Sequence, residues 1–132
     1  MAHEKRFADD DPYLARVTDL ALGFPGALVK VSHGLPAFYT VKVFAYYGGS
    51  VKHPDGHIRH PRSIMVLPVD DREHAALLEE PRCFHPAYLG PWGWVGVDLD
   101  ESTDWVEVRE LLEDSYRRTA PRALLRELDA RG

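Results

Sequence analysis

Residues 50–69, SVKHPDGHIRHPRSIMVLPV, decide how this chain folds. Asp55-Gly56 sits between two extended arms, and a glycine there supplies the positive φ that a tight hairpin turn needs. The second arm closes with SIMVLPV, a buried-type strand expected to stop near Pro68, because proline cannot donate to a central ladder. Strands joined by so short a turn must run antiparallel. Upstream, AFYTVKVFAYYGG (37–49) is rich in β-branched and aromatic residues and is expected to break at Gly48-Gly49. LVKVSH (28–33) alternates, placing Leu28, Lys30 and Ser32 on one face and Val29 and Val31 on the other. Residues 49–62 contain few apolar groups beyond Val51 and Ile58, so the hairpin they form is expected to be a solvated arm.

Helical signals bracket these strands. Before the strands, Pro12 follows three aspartates, and Leu14, Val17 and Ala21 recur at helical spacing, with Leu20 widening the stripe, until GFPG stops the helix. VDDREHAALLEEPR reads as a short helix with acids in its first turn and Ala75, Ala76 and Leu77 on its apolar side. CFHPAYLGP reads as an irregular connection, and WGWVGVDL (92–99) alternates as a strand. STDWVEVRELLEDSYRRTA carries the strongest helical stripe, Trp105, Val108, Leu111, Leu112 and Tyr116, with Ser102 or Thr103 as its cap. Pro121 opens a last helix that turns Leu124, Leu125 and Leu128 inward. The order predicts a single α+β domain over residues 1–132, an antiparallel sheet with helices packed on one face, preceded by a flexible stretch at residues 1–10.

Composition removes several functional classes. The chain has 132 residues, 45% hydrophobic and 28% charged, and no apolar run approaches the roughly 20 residues of a membrane span. MAHEKRFADDDPY has no apolar stretch behind its basic residues, so it does not read as a secretory signal, and a cytoplasmic location without membrane partners is expected. The net charge of −5 is unevenly spread. Residues 30–69 carry a net +4 and residues 115–132 a net +3, while residues 70–114 between them carry a net −10. Such polarity can mark a binding face.

Catalytic signatures are missing. There is no phosphate-binding glycine loop and no GxSxG elbow. His53, His57 and His60 cluster in HPDGHIRH, but His57 and His60 lie an odd number of residues apart and would face opposite sides of a regular strand, so no metal is expected. Cys83, the single cysteine, reads as a small hydrophobe beside Phe84. The acid pairs in DLDES and LLEDSY read as caps and solvated faces. His33, in VSHGLPAFY, precedes a glycine that permits a turn and a proline that fixes φ. It can hold that corner by hydrogen bonding, or act as a base if a nucleophile and an orienting partner lie within reach.

Three stretches resemble a known family. SHGLPAFYTVKVFAYY is similar to the first motif of the MmcQ/YjbR-like proteins, a His-Gly-x-Pro-x-Phe corner leading into a strand that ends Phe-Ala. PAYLGPWGWVGVDLD resembles their aromatic-glycine connection and following strand, and VRELLEDSYRRTAPRALLRELDA their closing helix pair. The resemblance runs from about Pro12 to Ala130. It implies a CyaY-like, double-wing α+β fold and the label of a DNA-binding protein, with no agreed catalytic residues. Two departures stand out: Pro68 where relatives carry a lysine, and a longer hairpin at GGSVKHPDGHIRHPR.

The expected function is therefore a non-enzymatic binding module without a cofactor. If the partner is DNA, the contact should be electrostatic and carried by Lys42, Lys52, Arg59, Arg62, Arg117, Arg118 and Arg122. The alternative is a small-molecule or protein-interaction domain with a pocket between sheet and helices near His33, Phe38, Trp94 and Tyr116.

Overall fold

The structure, a computed structural model, describes residues 5–131. Helix α1 (Pro12–Leu22) is followed by strands β1 (Leu28–Ser32), β2 (Leu35–Tyr39), β3 (Val43–His53) and β4 (Gly56–Val66). Then come α2 (Asp71–Leu78), a short β5 (Cys83–Phe84), a 3₁₀ turn (Gly90–Trp92), β6 (Val95–Asp98), α3 (Trp105–Thr119) and α4 (Arg122–Ala130). All strands pair antiparallel in one six-stranded sheet of order β1-β2-β3-β4-β6-β5. Sequence pattern and structure agree on an α+β domain with its helices on one face.

The main core lies on that face. Val17 and Ala21 from α1, Val108, Leu112 and Tyr116 from α3, and Leu77 and Leu128 from α2 and α4 close over Tyr47, Ile64, Val66, Val95 and Val97. Phe24, Phe44 and Tyr116 form an aromatic knot, with Phe24 stacked on Tyr116 at 5.0 Å and Phe44 edge-on to both. The opposite face buries a smaller cluster, Leu35, Met65 and Trp94, with Tyr46 and Leu89 against it. It is roofed by the chain between β5 and β6, not by a helix.

Several local expectations are corrected. The apolar run at 37–49 is two strands, because residues 40–42 turn the chain between β2 and β3. Gly48-Gly49 does not end β3, which runs on to His53; the pairing shifts there between Tyr47↔Ile64 and Gly49↔His60. This bulge leaves residues 61–63 to face Gly48 alone, so Pro61 sits where no ladder bond is needed. Gly48 has φ +93, which strains any other residue, and a Cβ there would also press on Leu35 Cδ2 at 3.0 Å. β1 does not alternate in burial: Leu28, Val29 and Val31 are all exposed, because β1 is an edge strand with no helix over it. Cys83–Phe84 adds a strand inside the stretch read as irregular. Trp92 leaves the expected strand for the 3₁₀ turn.

His33 lies within the β1–β2 turn, not before it. Ser32 pairs with Leu35, so His33 and Gly34 are the two loop residues, at φ +54 and +82. Two positive φ values are the mark of a type I′ hairpin, here with His-Gly in place of the commoner Asn-Gly. The cap of α3 is Asp104, whose carboxylate accepts from Val106 N and Glu107 N; Ser102 and Thr103 instead close a turn with Asp100. In the N-terminal stretch expected to be flexible, residues 1–4 lie outside the described residues. Arg6 N donates to Gly34 O at 2.8 Å, and Phe7 packs on the main core.

Helices and sheet are joined by a few buried polar bonds. Ser115 Oγ, fully buried on α3, donates to Phe44 O at 2.5 Å and accepts from Leu67 N at 2.9 Å. Tyr116 OH donates to Pro25 O at 2.7 Å. Tyr47 OH donates to Asp11 at 2.5 Å, tying β3 to the N-cap of α1, and burial followed by that carboxylate pushes the phenol far above its usual range.

Ser115→Ala strands a buried carbonyl and a buried amide at once. Each group left unsatisfied costs about 1–3 kcal/mol, so the melting temperature should fall by roughly 10 °C; a change within 2 °C would show the bonds to have no net worth. At the hairpin tip, His33→Gly relieves a left-handed conformation that costs a non-glycine residue about 1–2 kcal/mol. Because glycine's added freedom in the unfolded chain offsets only part of that relief, it should melt a few degrees above the parent, and His33→Val several degrees lower. The reverse order would show that the side chain, not the turn, carries the stability.

Candidate functional site

The helix-free face has a cavity of about 870 Å³, within the usual range for small-ligand sites. Its floor is apolar: Leu35 from the start of β2, Tyr46 from β3, Met65 from β4 and Leu89 from the roof. The alternation of these strands explains the floor. Tyr46 points away from the helices because Tyr47 points toward them, and Met65 stands between Ile64 and Val66, which both join the helix-side core. Gly49 keeps the floor low, since a Cβ there would press on Met65 and Phe84 at 3.1–3.3 Å.

The rim is polar. Ser32 and His33 come from the β1–β2 turn, with Ser32 Oγ 3.1 Å from His33 Nδ1. Arg6 comes from the N-terminal segment that Gly34 O holds in place. Ser50, His57 and Arg59 come from the β3–β4 arm, and Ala87 and Tyr88 from the roof. Ala87 N donates to Ser50 O at 2.8 Å, which pins the roof to β3. The Tyr88 ring stacks on His57 at 5.5 Å, while the residue has φ +67 and remains 77% exposed. Among the described residues that line the cavity there are two arginines and two histidines and no carboxylate. Arg6 Nε is buried and has no hydrogen-bond partner among the described residues.

Of the four residues expected to line a pocket between sheet and helices, only His33 lines this cavity, and the cavity lies on the other face of the sheet. Phe38 and Tyr116 are wholly buried in the helix-side core. Trp94 is buried under the roof, tilted against Tyr46 at 5.6 Å. Arg6, Ser50 and Tyr88 were missed. Arg6 has no local signal, since topology alone brings it beside the β1–β2 turn. Tyr88 had one, an aromatic residue placed among Pro86, Gly90 and Pro91.

The seven expected cations are all exposed but differ in their engagements. Lys52 and Arg59 stand on the arm and Lys42 in the β2–β3 turn. Arg62 lies over the Tyr13 ring and 4.0 Å from Asp11. Arg117 is paired with both Glu113 and Asp129, and Arg118 donates to Pro68 O. Arg122 begins α4. Glu113, between Arg117 and Arg109, is held below the usual carboxylate range mainly by its bond to Arg117.

The arm is solvated only beyond its base. Gly49 and Ser50 are buried, and His60 stacks on Phe84 at 4.0 Å with Nδ1 2.8 Å from Asp98 Oδ1. No group of three or more His, Cys, Asp or Glu residues is placed to hold a metal among the described residues. None of the described helices is long and apolar enough to cross a membrane.

With this geometry in view, comparison with known families is direct. The YjbR family model matches residues 22–118, well over half of the sequence, and the chain belongs to the YjbR family. No curated protein matches it.

Cys83 sits half-buried on β5, and burial, with Glu80 adding to it, pushes its thiol up to about 11. At pH 8 roughly one thiol in a thousand would then be ionised. Alkylation by iodoacetamide should be about two orders of magnitude slower than for a free cysteine and should quicken about tenfold per pH unit up to pH 10. A rate like that of free cysteine would show the thiol to be exposed and unperturbed.

Proposed function

We propose that this YjbR-family protein is a binding module, not an enzyme, and that its ligand is a small anion with an apolar body seated in the cavity on the helix-free face. The observation that carries the reading is the charge of the cavity lining. Arg6, Arg59, His33 and His57 stand around it, and no carboxylate among the described lining residues balances the two guanidinium charges. An anionic group at the rim would meet that charge, and Leu35, Tyr46, Met65 and Leu89 would cover the apolar remainder. Arginine also binds planar carboxylate and phosphate groups through two parallel hydrogen bonds.

A second reading, electrostatic DNA contact, is favoured by the arm, where Lys52 and Arg59 stand exposed and make no ion pair among the described residues. Two neutralised phosphates give a salt slope of about −2, so such binding would be weak and without base preference. Arg117, Arg118 and Arg62, already engaged within the fold, add little to that surface.

Thermal melts against a panel of aromatic carboxylates and phosphate monoesters, with neutral analogues as controls, test the first reading. A ligand at a hundred times its Kd should stabilise the fold by about 2.7 kcal/mol. Arg6→Met should leave the unliganded melting temperature unchanged or slightly higher, and should abolish the response to anions. If no anion raises the melting temperature, but duplex DNA binds at low salt and is lost on Lys52→Ala with Arg59→Ala, the second reading replaces the first.

A further inference from the structure

We infer that the cavity takes a mononucleotide, with its base against the Tyr88–His57 ring pair and its phosphate toward the arginines of the rim. This rests on the reading of the cavity as an anion site and adds the nature of the apolar part. Three observations point to a flat aromatic group. Tyr88 keeps 77% of its surface exposed, in a backbone conformation that a tyrosine rarely adopts, so the fold displays a ring where burial would be the ordinary outcome. That ring is backed by His57, stacked on it at 5.5 Å with the planes 29° apart, so its outer face is left for a flat group. The main chain beneath them is fixed, because Ala87 N bonds to Ser50 O and His57 belongs to the paired arm opposite Lys52.

Stacking on aromatic rings is tolerant of base identity, since every base has a π-face, whereas the charge on Arg6 and Arg59 selects for phosphate. A volume of about 870 Å³ admits one nucleotide with water. The apolar floor suits the faces of a base and a sugar better than it suits a continuous phosphate backbone, which sets a mononucleotide apart from a polymer.

Isothermal titration with AMP, CMP, adenosine, ribose 5-phosphate and a short single-stranded oligonucleotide tests the inference. AMP and CMP should bind at least tenfold more tightly than either adenosine or ribose 5-phosphate. Tyr88→Ala should bring AMP down to the affinity of ribose 5-phosphate and leave ribose 5-phosphate itself unchanged, and Tyr88→Phe should restore AMP. Ribose 5-phosphate binding as tightly as AMP would overturn the base slot while leaving the anion site standing. An oligonucleotide binding more than tenfold tighter than AMP would overturn the mononucleotide in favour of a polymer. Failure of every phosphate compound with a fully folded protein would overturn this inference, and the anion site would fall with it only if the aromatic carboxylates failed as well.

Discussion

Ser115 carries the geometry of this fold. Its hydroxyl donates to one strand and accepts from the residue just past the next, so α3 is held at one height and one rotation over the sheet. The neighbouring Tyr116 extends the constraint to the turn after α1, through Pro25 O and the ring stack with Phe24. Both groups are wholly buried, so each bond replaces water that cannot enter. With α3 fixed on that side and every other helix joining the same core, the opposite face is left to be covered by loop.

That division explains why a cavity exists at all. A helix laid on a sheet buries it continuously, because its side chains fill the grooves between strands. A roof made of irregular chain touches the sheet where its few anchors fall, at Leu89, Trp94 and the Ala87–Ser50 bond, and leaves space between them. The polar rim arises from the same cause. The residues around that space belong to turns, the N-terminal segment and the projecting arm, where Arg6, His33, Arg59 and Tyr88 need not be apolar.

Much of the fold was legible because periodicity reports burial. The stripes of α1 and α3 and the antiparallel hairpin at Asp55-Gly56 follow from spacing and turn chemistry alone. Two misreadings share one physical source, that glycine signals freedom and not what the chain does with it. Gly48 was read as a break, but the fold uses it for a bulge within a continuous strand. His33 was placed ahead of a turn that it in fact forms, because histidine at positive φ is an uncommon choice. The cavity was sought between sheet and helices, where Phe38 and Tyr116 pack without a gap. Its real walls come from segments far apart in sequence, a proximity that no local pattern encodes.

The insertion of β6 between β4 and β5 sets an order of assembly. Strands β1 to β4 follow one another through short reversals, so their pairings close small loops at little entropic cost. β6 reaches β4 only after the whole stretch 67–94 has been gathered in, with α2 and β5 upon it. Contact-order reasoning therefore makes the four-strand meander the early part and the β5–β6 edge the late one. The roof over the cavity belongs to the late part. The roof side of the cavity thus joins after the meander side, so a bound ligand would act as a clasp between the two.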